Sequence, residues 1–165
     1  MDPRTALEEV QNSPAYASWL KEGNQQCFLL SIFLMTGEQW EVIFFNKEKN
    51  STSSFAVTKE GVALIGKDVP LLQQEEEPQP LVLDKITLTK EEAVSISRER
   101  LAEKSKAEQS CFVVLQTKQE KPCWIVVIMT SDMHIHRCVI NAETKEVLEE
   151  KLQDLSKSFS VERKT

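Results

Sequence analysis

Two histidines and a cysteine alternate in one short stretch, and their side-chain types could hold a metal ion. His134, His136 and Cys138 are spaced two residues apart, so on a β-strand all three side chains leave the same face. Imidazole and thiolate groups are ligands that zinc prefers. The same pattern, however, makes Cys138 an inward core residue beside Ile140, and no nearby residue is an obvious fourth ligand. We therefore expect an ordinary strand without a metal or other cofactor, and His134, His136 and Cys138 are the candidate ligands if one binds.

The other reactive side chains form no recognisable catalytic pattern. The four cysteines lie in apolar, strand-like runs, and such surroundings raise the pKa of a thiol instead of activating it. The acidic runs 75–77 and 149–150 are interpreted as solvated surface. The sequence contains no P-loop, no dinucleotide-binding glycine fingerprint and no G-x-S-x-G motif. The sequence thus predicts a protein that is not an enzyme.

Two segments of the chain, each containing strand-like apolar runs, resemble each other in sequence. Segments 27–45 and 111–129 align without gaps, and four positions are identical: Cys27/Cys111, Phe28/Phe112, Trp40/Trp124 and Val42/Val126. Five further positions exchange one apolar residue for another. The chain has only three tryptophans, so two of them at one register are informative. The alignment predicts an internal duplication.

The surrounding sequence predicts the same order of elements in both halves, a helical segment followed by four strands. Asp2, Ser13 and Thr89 are predicted helix caps, and Thr89 with Glu92 forms a capping-box pattern. Short turns require neighbouring strands to pair antiparallel. We therefore predict an α+β fold of two tandem helix-plus-antiparallel-sheet units. Residues 1–68 form the first unit, 69–85 a linker, 86–155 the second unit and 156–165 a flexible C-terminal tail.

The second half resembles the PepSY domain family over about residues 86–150. The matching residues are Trp124, Val126, Ile128, Cys138, Ile140, Asn141, Ala142, Thr144, Val147 and Leu148. Asn141 replaces the usual Asp and Lys145 the usual Gly, while the first half matches only through Trp40, Val42 and its apolar strands. The resemblance implies a cystatin-like sheet wrapped on a helix and a role in binding or restraining peptidases. It implies no catalytic residues.

The first two strand segments are apolar on both faces. Residues 28–35 and 40–45 show no alternation, so one helix can cover only one of the two faces. The second cover must come from the other half, a second copy of the chain or a bound molecule. The aromatic residues of these segments are interpreted first as core. The alternative is a groove for a ligand or partner, and the candidate apolar binding surface then consists of Trp19, Trp40, Phe44 and Phe45.

The composition of the chain disfavours two classes of binding partner, nucleic acids and membranes. The net charge is −6 at pH 7, which disfavours nucleic acid, and the longest apolar run is too short to insert in a membrane. A cytoplasmic location is expected. The leading interpretation is a non-enzymatic module that binds a protein or peptide, with strand addition at an exposed sheet edge as one mode. A homodimer is one form that such binding can take. The alternatives are a small-molecule carrier with an apolar cavity between helix and sheet, and a metal- or thiol-dependent enzyme.

Overall fold

The computed structural model describes residues 1–35, 39–72 and 76–156. These residues form three helices packed on one antiparallel sheet, which confirms the predicted α+β class. In chain order the elements are α1 (Pro3–Gln11), α2 (Pro14–Leu20), β1 (Phe28–Met35), β2 (Trp40–Asn46), β3 (Ser51–Thr58), β4 (Gly61–Pro70), α3 (Lys90–Glu103), β5 (Glu108–Lys118), β6 (Lys121–Thr130), β7 (His134–Asn141) and β8 (Val147–Asp154).

The eight described strands lie in one sheet, in the order β4-β3-β2-β1-β5-β6-β7-β8. β1 and β5 pair antiparallel at its centre, from Ser31 opposite Gln116 to Met35 opposite Phe112. We call this central pairing the seam. The strands of each half extend outward from the seam in chain order, so both halves contribute to one hydrogen-bonded surface.

The two matched tryptophans occupy corresponding places on β2 and β6. Trp40 pairs with Leu34 of β1, and Trp124 pairs with Leu115 of β5. Both indole rings are buried on the helix-covered face of the sheet. The match of Trp40 with Trp124 thus agrees with the pairing of the strands.

The rest of the gap-free alignment fails in β1 and β5. It matched Leu34 with Lys118, whereas the strand pairing equates Leu34 with Leu115, three residues earlier. The second hairpin is longer, because β5 and β6 continue to pair as far as Lys118 opposite Lys121. The matches of the Cys27 and Phe28 segment with Cys111 and Phe112 are therefore wrong.

All three predicted helix caps are confirmed. Asp2 and Ser13 accept from backbone N–H groups of the first turns of α1 and α2, and a proline follows each cap. Thr89 accepts from Glu92 N, while the Glu92 carboxylate accepts from Thr89 N, which completes the capping box. These bonds satisfy backbone donors that a helix start leaves open.

We expect Thr89→Ala to destabilise the protein by about 1 kcal/mol, because α3 then loses its N-cap acceptor. Thr89→Ser keeps the hydroxyl and is the matched control. Urea denaturation followed by circular dichroism measures both variants. A Thr89→Ala protein as stable as the serine variant would contradict a contribution of this cap.

One face of the sheet carries the main core together with all three helices. Helix residues Ala6, Val10, Trp19, Ala93 and Leu101 pack there against the strands. The buried strand residues in this core are Ile32, Leu34, Trp40, Val42, Phe44, Phe55, Val57, Cys111, Val113, Leu115, Trp124, Val126, Ile128, Cys138 and Ile140. This core crosses the seam without interruption.

The linker packs on the body of the protein in part. Its first two predicted residues, 69–70, belong to β4, because pairing with β3 resumes there, with Val69 opposite Thr52 and Pro70 opposite Ser51. Leu81 N donates to Leu29 O at 2.8 Å, and Thr117 Oγ1 donates to Pro80 O at 2.8 Å. The linker thus contacts β1 and β5 where their mutual pairing ends, whereas Leu72 is 82% exposed. Of the predicted tail, residues 157–165 lie outside the described residues.

Both halves of the chain form hydrogen bonds with the segment at the end of the linker. Arg4 of α1 donates to the carbonyl oxygens of Leu83 and Ile86, at 2.7 and 3.0 Å. Leu88 N donates to Ala142 O, just after β7, at 2.9 Å. This segment therefore connects α1 to the β7–β8 turn.

The β7–β8 turn contains the two departures from the PepSY pattern. Asn141 Oδ1 accepts from Glu143 N at 2.9 Å and from Thr144 N at 3.1 Å, so asparagine supplies the turn acceptor that aspartate would. Lys145 has a φ of 70°. A lysine there bears a steric cost that glycine avoids.

Candidate functional site

The open side of β4 is one outer edge of the sheet, and no described strand pairs with it. Residues 62–66 (VALIG) are uncharged, and we call them the β4 edge. Val62 and Leu64 pack toward the main core, whereas Ile65 on the other face is 51% exposed. Pairing with β3 is regular from Gly61 to Leu64 and shifts beyond it. The β4 edge can accept one short additional strand.

The opposite edge is β8, and its chemistry differs. Its sequence VLEEKLQD carries four charged residues, Glu149, Glu150, Lys151 and Asp154. Charged side chains on an outer strand disfavour pairing with a further strand. β8 is therefore protected by charge along its length, whereas the charged residues of β4, Lys67 and Asp68, lie outside the β4 edge.

The face of the sheet opposite the helices is also apolar. The ring centroids of Phe33 and Phe112 lie 5.5 Å apart, and those of Phe28 and Phe45 lie 5.4 Å apart. A second core cluster on this face includes the buried residues Cys123, Ile125 and Val139. Within the described chain it contains no helix residue. The sequence pattern thus predicted correctly that β1 and β2 are apolar on both faces.

The four aromatic residues proposed as an apolar surface are all buried. Trp19, Trp40, Phe44 and Phe45 are each at most 4% exposed. Trp19 and Phe44 pack with Phe55, at ring-centroid distances of 5.3 to 5.8 Å for the three pairs. These side chains form core, not an accessible surface.

Two concave regions lie between α1, α3 and the sheet. An open groove of about 610 Å³ is bordered by Leu34, Trp40, Val57 and charged residues that include Lys90 and Glu91. A smaller cavity of about 120 Å³ lies beside Trp124, at the starts of α1 and α3. Neither combines large volume with an enclosed apolar lining.

The candidate metal ligands separate in the structure. His136 and Cys138 are fully buried beneath α3, and His136 Nε2 lies 3.8 Å from Cys138 Sγ. His134 lies outside this group, with Nδ1 3.1 Å from Asp132 Oδ1 and Nε2 3.7 Å from Asp154 Oδ2. Alternation predicted one strand face for all three side chains, but His134 does not form a ligand cluster with His136 and Cys138.

Glu150 takes the place that the sequence analysis gave to His134. His136 Nε2 donates to Glu150 Oε1 at 2.9 Å, and Arg100 Nη1 donates to Glu150 Oε2 at 3.0 Å. The hydrogen bond from His136 contributes most to lowering the pKa of the Glu150 carboxyl group. Burial raises the pKa of the Cys138 thiol.

The interpretation of the acidic run 149–150 as solvated surface holds for Glu149, whose side chain is 55% exposed, and only in part for Glu150, whose side chain is 21% exposed. β8 places Glu150 opposite Cys138. Antiparallel pairing through the β7–β8 turn was the signal that could have identified it.

No protein family model matches the chain, and no curated protein matches it. Among solved structures, it is similar to a "putative lipoprotein" from Clostridium difficile 630, with a TM-score of 0.53 and 13% sequence identity. The match covers 83% of this chain and 90% of that chain. No helix in the described residues is long and apolar enough to span a membrane. At this identity the similarity concerns the fold alone, which supports the α+β assignment.

Proposed function

We propose that this chain is a non-enzymatic interaction module that binds an extended segment of a partner protein along the β4 edge. The difference between the two outer strands carries the proposal, since β8 bears four charges along its length, whereas the two charges of β4, Lys67 and Asp68, lie beyond residues 62–66. Exposed, uncharged edges are usually covered or blocked in proteins because they pair with other strands. An edge left in this state is therefore suited to a partner strand.

The chemistry of the edge defines the partner segment. Backbone N–H and C=O groups on the open side of β4 supply affinity, and side chains on alternate faces supply selectivity. Ala63 and Ile65 lie on the helix-free face, and Val62 and Leu64 lie on the other. The partner segment is extended, short and apolar at alternate positions, because only about four β4 residues pair regularly with β3.

A photo-cross-linking experiment tests this proposal. A photoreactive phenylalanine analogue replaces Ile65, and an otherwise identical protein carries it at the exposed Gln153 of β8. In native cell extract we expect a discrete adduct from position 65 alone. Ala63→Lys should abolish this adduct, because an edge lysine opposes strand addition, whereas Gln153→Lys should leave it intact.

Three outcomes would contradict the proposal. Equal adducts from positions 65 and 153, or an adduct that survives Ala63→Lys, would remove the β4 edge from the binding site. An adduct between two copies of the chain, with dimers in sedimentation velocity, would assign the edge to self-association. Circular dichroism of each variant verifies that the fold is retained.

We further infer that the chain is a tandem of two cystatin-like units of the PepSY type, at residues 1–68 and 86–155. The mirrored strand order around the seam and the equivalent pairing of Trp40 and Trp124 support this inference. The family resemblance makes a peptidase the first partner class to test. A cytoplasmic location stays a prediction from the sequence.

A small-molecule carrier is the second candidate. The groove beside Trp40 favours it, since about 610 Å³ lies within the range of ligand sites. Its openness and its charged border make it a weaker candidate than the β4 edge. Saturable quenching of Trp40 fluorescence by an apolar ligand, lost in Trp40→Phe, would support the carrier.

A further inference from the structure

The cluster beneath α3 brings three different metal-binding groups together. His136 and Cys138 point from β7 toward the helix, and Glu150 of β8 stands opposite Cys138 in the sheet. One ligand atom from each of these residues lies within 4.8 Å of the others. We propose that His136 Nε2, Cys138 Sγ and Glu150 Oε1 form a binding site for a divalent transition metal of the zinc class.

Two of the three separations between the ligand atoms fit a tetrahedral ion. Zinc bonds of about 2.0 Å to nitrogen and oxygen and about 2.3 Å to sulfur place neighbouring ligand atoms roughly 3.3–3.6 Å apart. His136 Nε2 lies 2.9 Å from Glu150 Oε1 and 3.8 Å from Cys138 Sγ. An ion inserted among these atoms therefore needs displacements of a few tenths of an ångström along these two separations. The third separation, between Cys138 and Glu150, is within 4.8 Å, so the partly exposed Glu150 side chain moves by up to about 1 Å to close it.

The donor set matches the metal class. Imidazole nitrogen, thiolate and carboxylate oxygen all bind zinc, whereas calcium and magnesium require oxygen ligands. The thiolate and the carboxylate together balance the two positive charges of the ion. The Glu150 side chain is 21% exposed, so a water molecule can supply a fourth ligand from that side.

The contacts around Glu150 both support the ion and compete with it. Arg100 Nη1 holds Glu150 Oε2 at 3.0 Å and leaves Oε1 directed toward His136. This arrangement fixes the carboxylate as outer-shell partners of metal sites do. Lys104 Nζ lies 3.7 Å from Oε1 and competes for the same oxygen, so the ion has to displace this weak contact.

The tautomer of His136 decides which ring nitrogen can bind an ion. Among the described residues, the polar contacts of the His136 ring are from Nε2 to Glu150 and Cys138, and the buried Nδ1 has no hydrogen-bond partner. With an ion on Nε2, the ring proton has to be on Nδ1. A water molecule is then the outer-shell partner that this buried N–H requires.

Metal titration of the full chain tests the site. We expect one Zn²⁺ per chain in native mass spectrometry after dialysis, and a thiolate-to-cobalt charge-transfer absorption when Co²⁺ is added. Glu150→Gln and Cys138→Ser should each weaken zinc affinity by at least about 100-fold, since loss of an outer-shell partner alone costs 10- to 100-fold. Calorimetry measures this change.

Two matched controls separate this cluster from other ligands. Cys123→Ser removes a buried cysteine on the opposite face, and His134→Ala removes the histidine that lies outside the cluster. Both variants should bind one ion with unchanged affinity and keep the cobalt spectrum.

Absence of stoichiometric binding by the unmodified protein would overturn the proposal. Binding that needs His134 or that is unaffected by Glu150→Gln would do the same. Glu150 is partly exposed, so this variant keeps the test decisive if Cys138→Ser does not fold.

Discussion

Trp124→Ala is expected to destabilise the protein by about 3–5 kcal/mol, the range for removing a fully buried large aromatic side chain. Trp124 is 0% exposed and lies in the main core between the sheet and the helices. Its Nε1 donates to Leu88 O at 2.8 Å, so the substitution also leaves a buried carbonyl oxygen without its partner. Urea denaturation followed by far-UV circular dichroism measures the change in the free energy of unfolding.

Phenylalanine variants separate the hydrogen bond from the packing. Trp19 is 2% exposed and its Nε1 has no hydrogen-bond partner among the described residues. Trp19→Phe therefore loses ring volume but no hydrogen bond. Trp124→Phe loses ring volume and also the hydrogen bond to Leu88. We expect Trp124→Phe to cost about 1 kcal/mol more than Trp19→Phe, the usual net value of one hydrogen bond.

Two results would contradict this account of Trp124. A cost below about 1 kcal/mol for Trp124→Ala would place the indole ring at the surface. Equal costs for the two phenylalanine variants would mean that the bond to Leu88 contributes nothing to stability. Trp40→Ala, also in the core at 4% exposure, should resemble Trp124→Ala in magnitude.

Local patterns predicted much of the fold, because they depend on neighbours in the sequence. Helix caps such as Thr89 satisfy backbone groups within one turn, and an apolar strand predicts that its two faces need cover. The long-range register was not predictable in this way. The extra length of the second hairpin, which ends at Lys118 and Lys121, shifted the expected match of the first strands by three residues.

The candidate metal ligands were likewise predictable where they depend on local sequence and not where they depend on strand register. Alternation placed His136 and Cys138 on one face, which the structure confirms. The third ligand depended on which β8 residue stands opposite Cys138, and Glu150 reaches that position through the β7–β8 turn and a register shift near Val139. Alternation alone suggested His134 instead, because a spacing of two residues fixes the face but not the direction of a terminal side chain.

The seam is where the second large effect is expected. Ile32 and Leu115 are both 0% exposed and stand opposite each other across β1 and β5. Ile32→Ala and Leu115→Ala should each cost about 2–5 kcal/mol, because each removes packing and leaves a cavity in the main core. Leu72→Ala, at an 82% exposed position, is the control and should change stability by less than about 0.5 kcal/mol.

These two variants also test whether the halves unfold together. The main core and the sheet cross the seam without a break, so one cooperative transition is expected, with the same midpoint by circular dichroism and by tryptophan fluorescence. Because Ile32 and Leu115 stand opposite each other, the double variant should deviate from the sum of the single costs by at least about 0.5 kcal/mol. Two separate transitions, or strictly additive costs, would mean that the halves are independent units that merely adjoin. One shifted transition would mean that residues on either side of the seam stabilise a single folding unit, even if that unit arose by duplication.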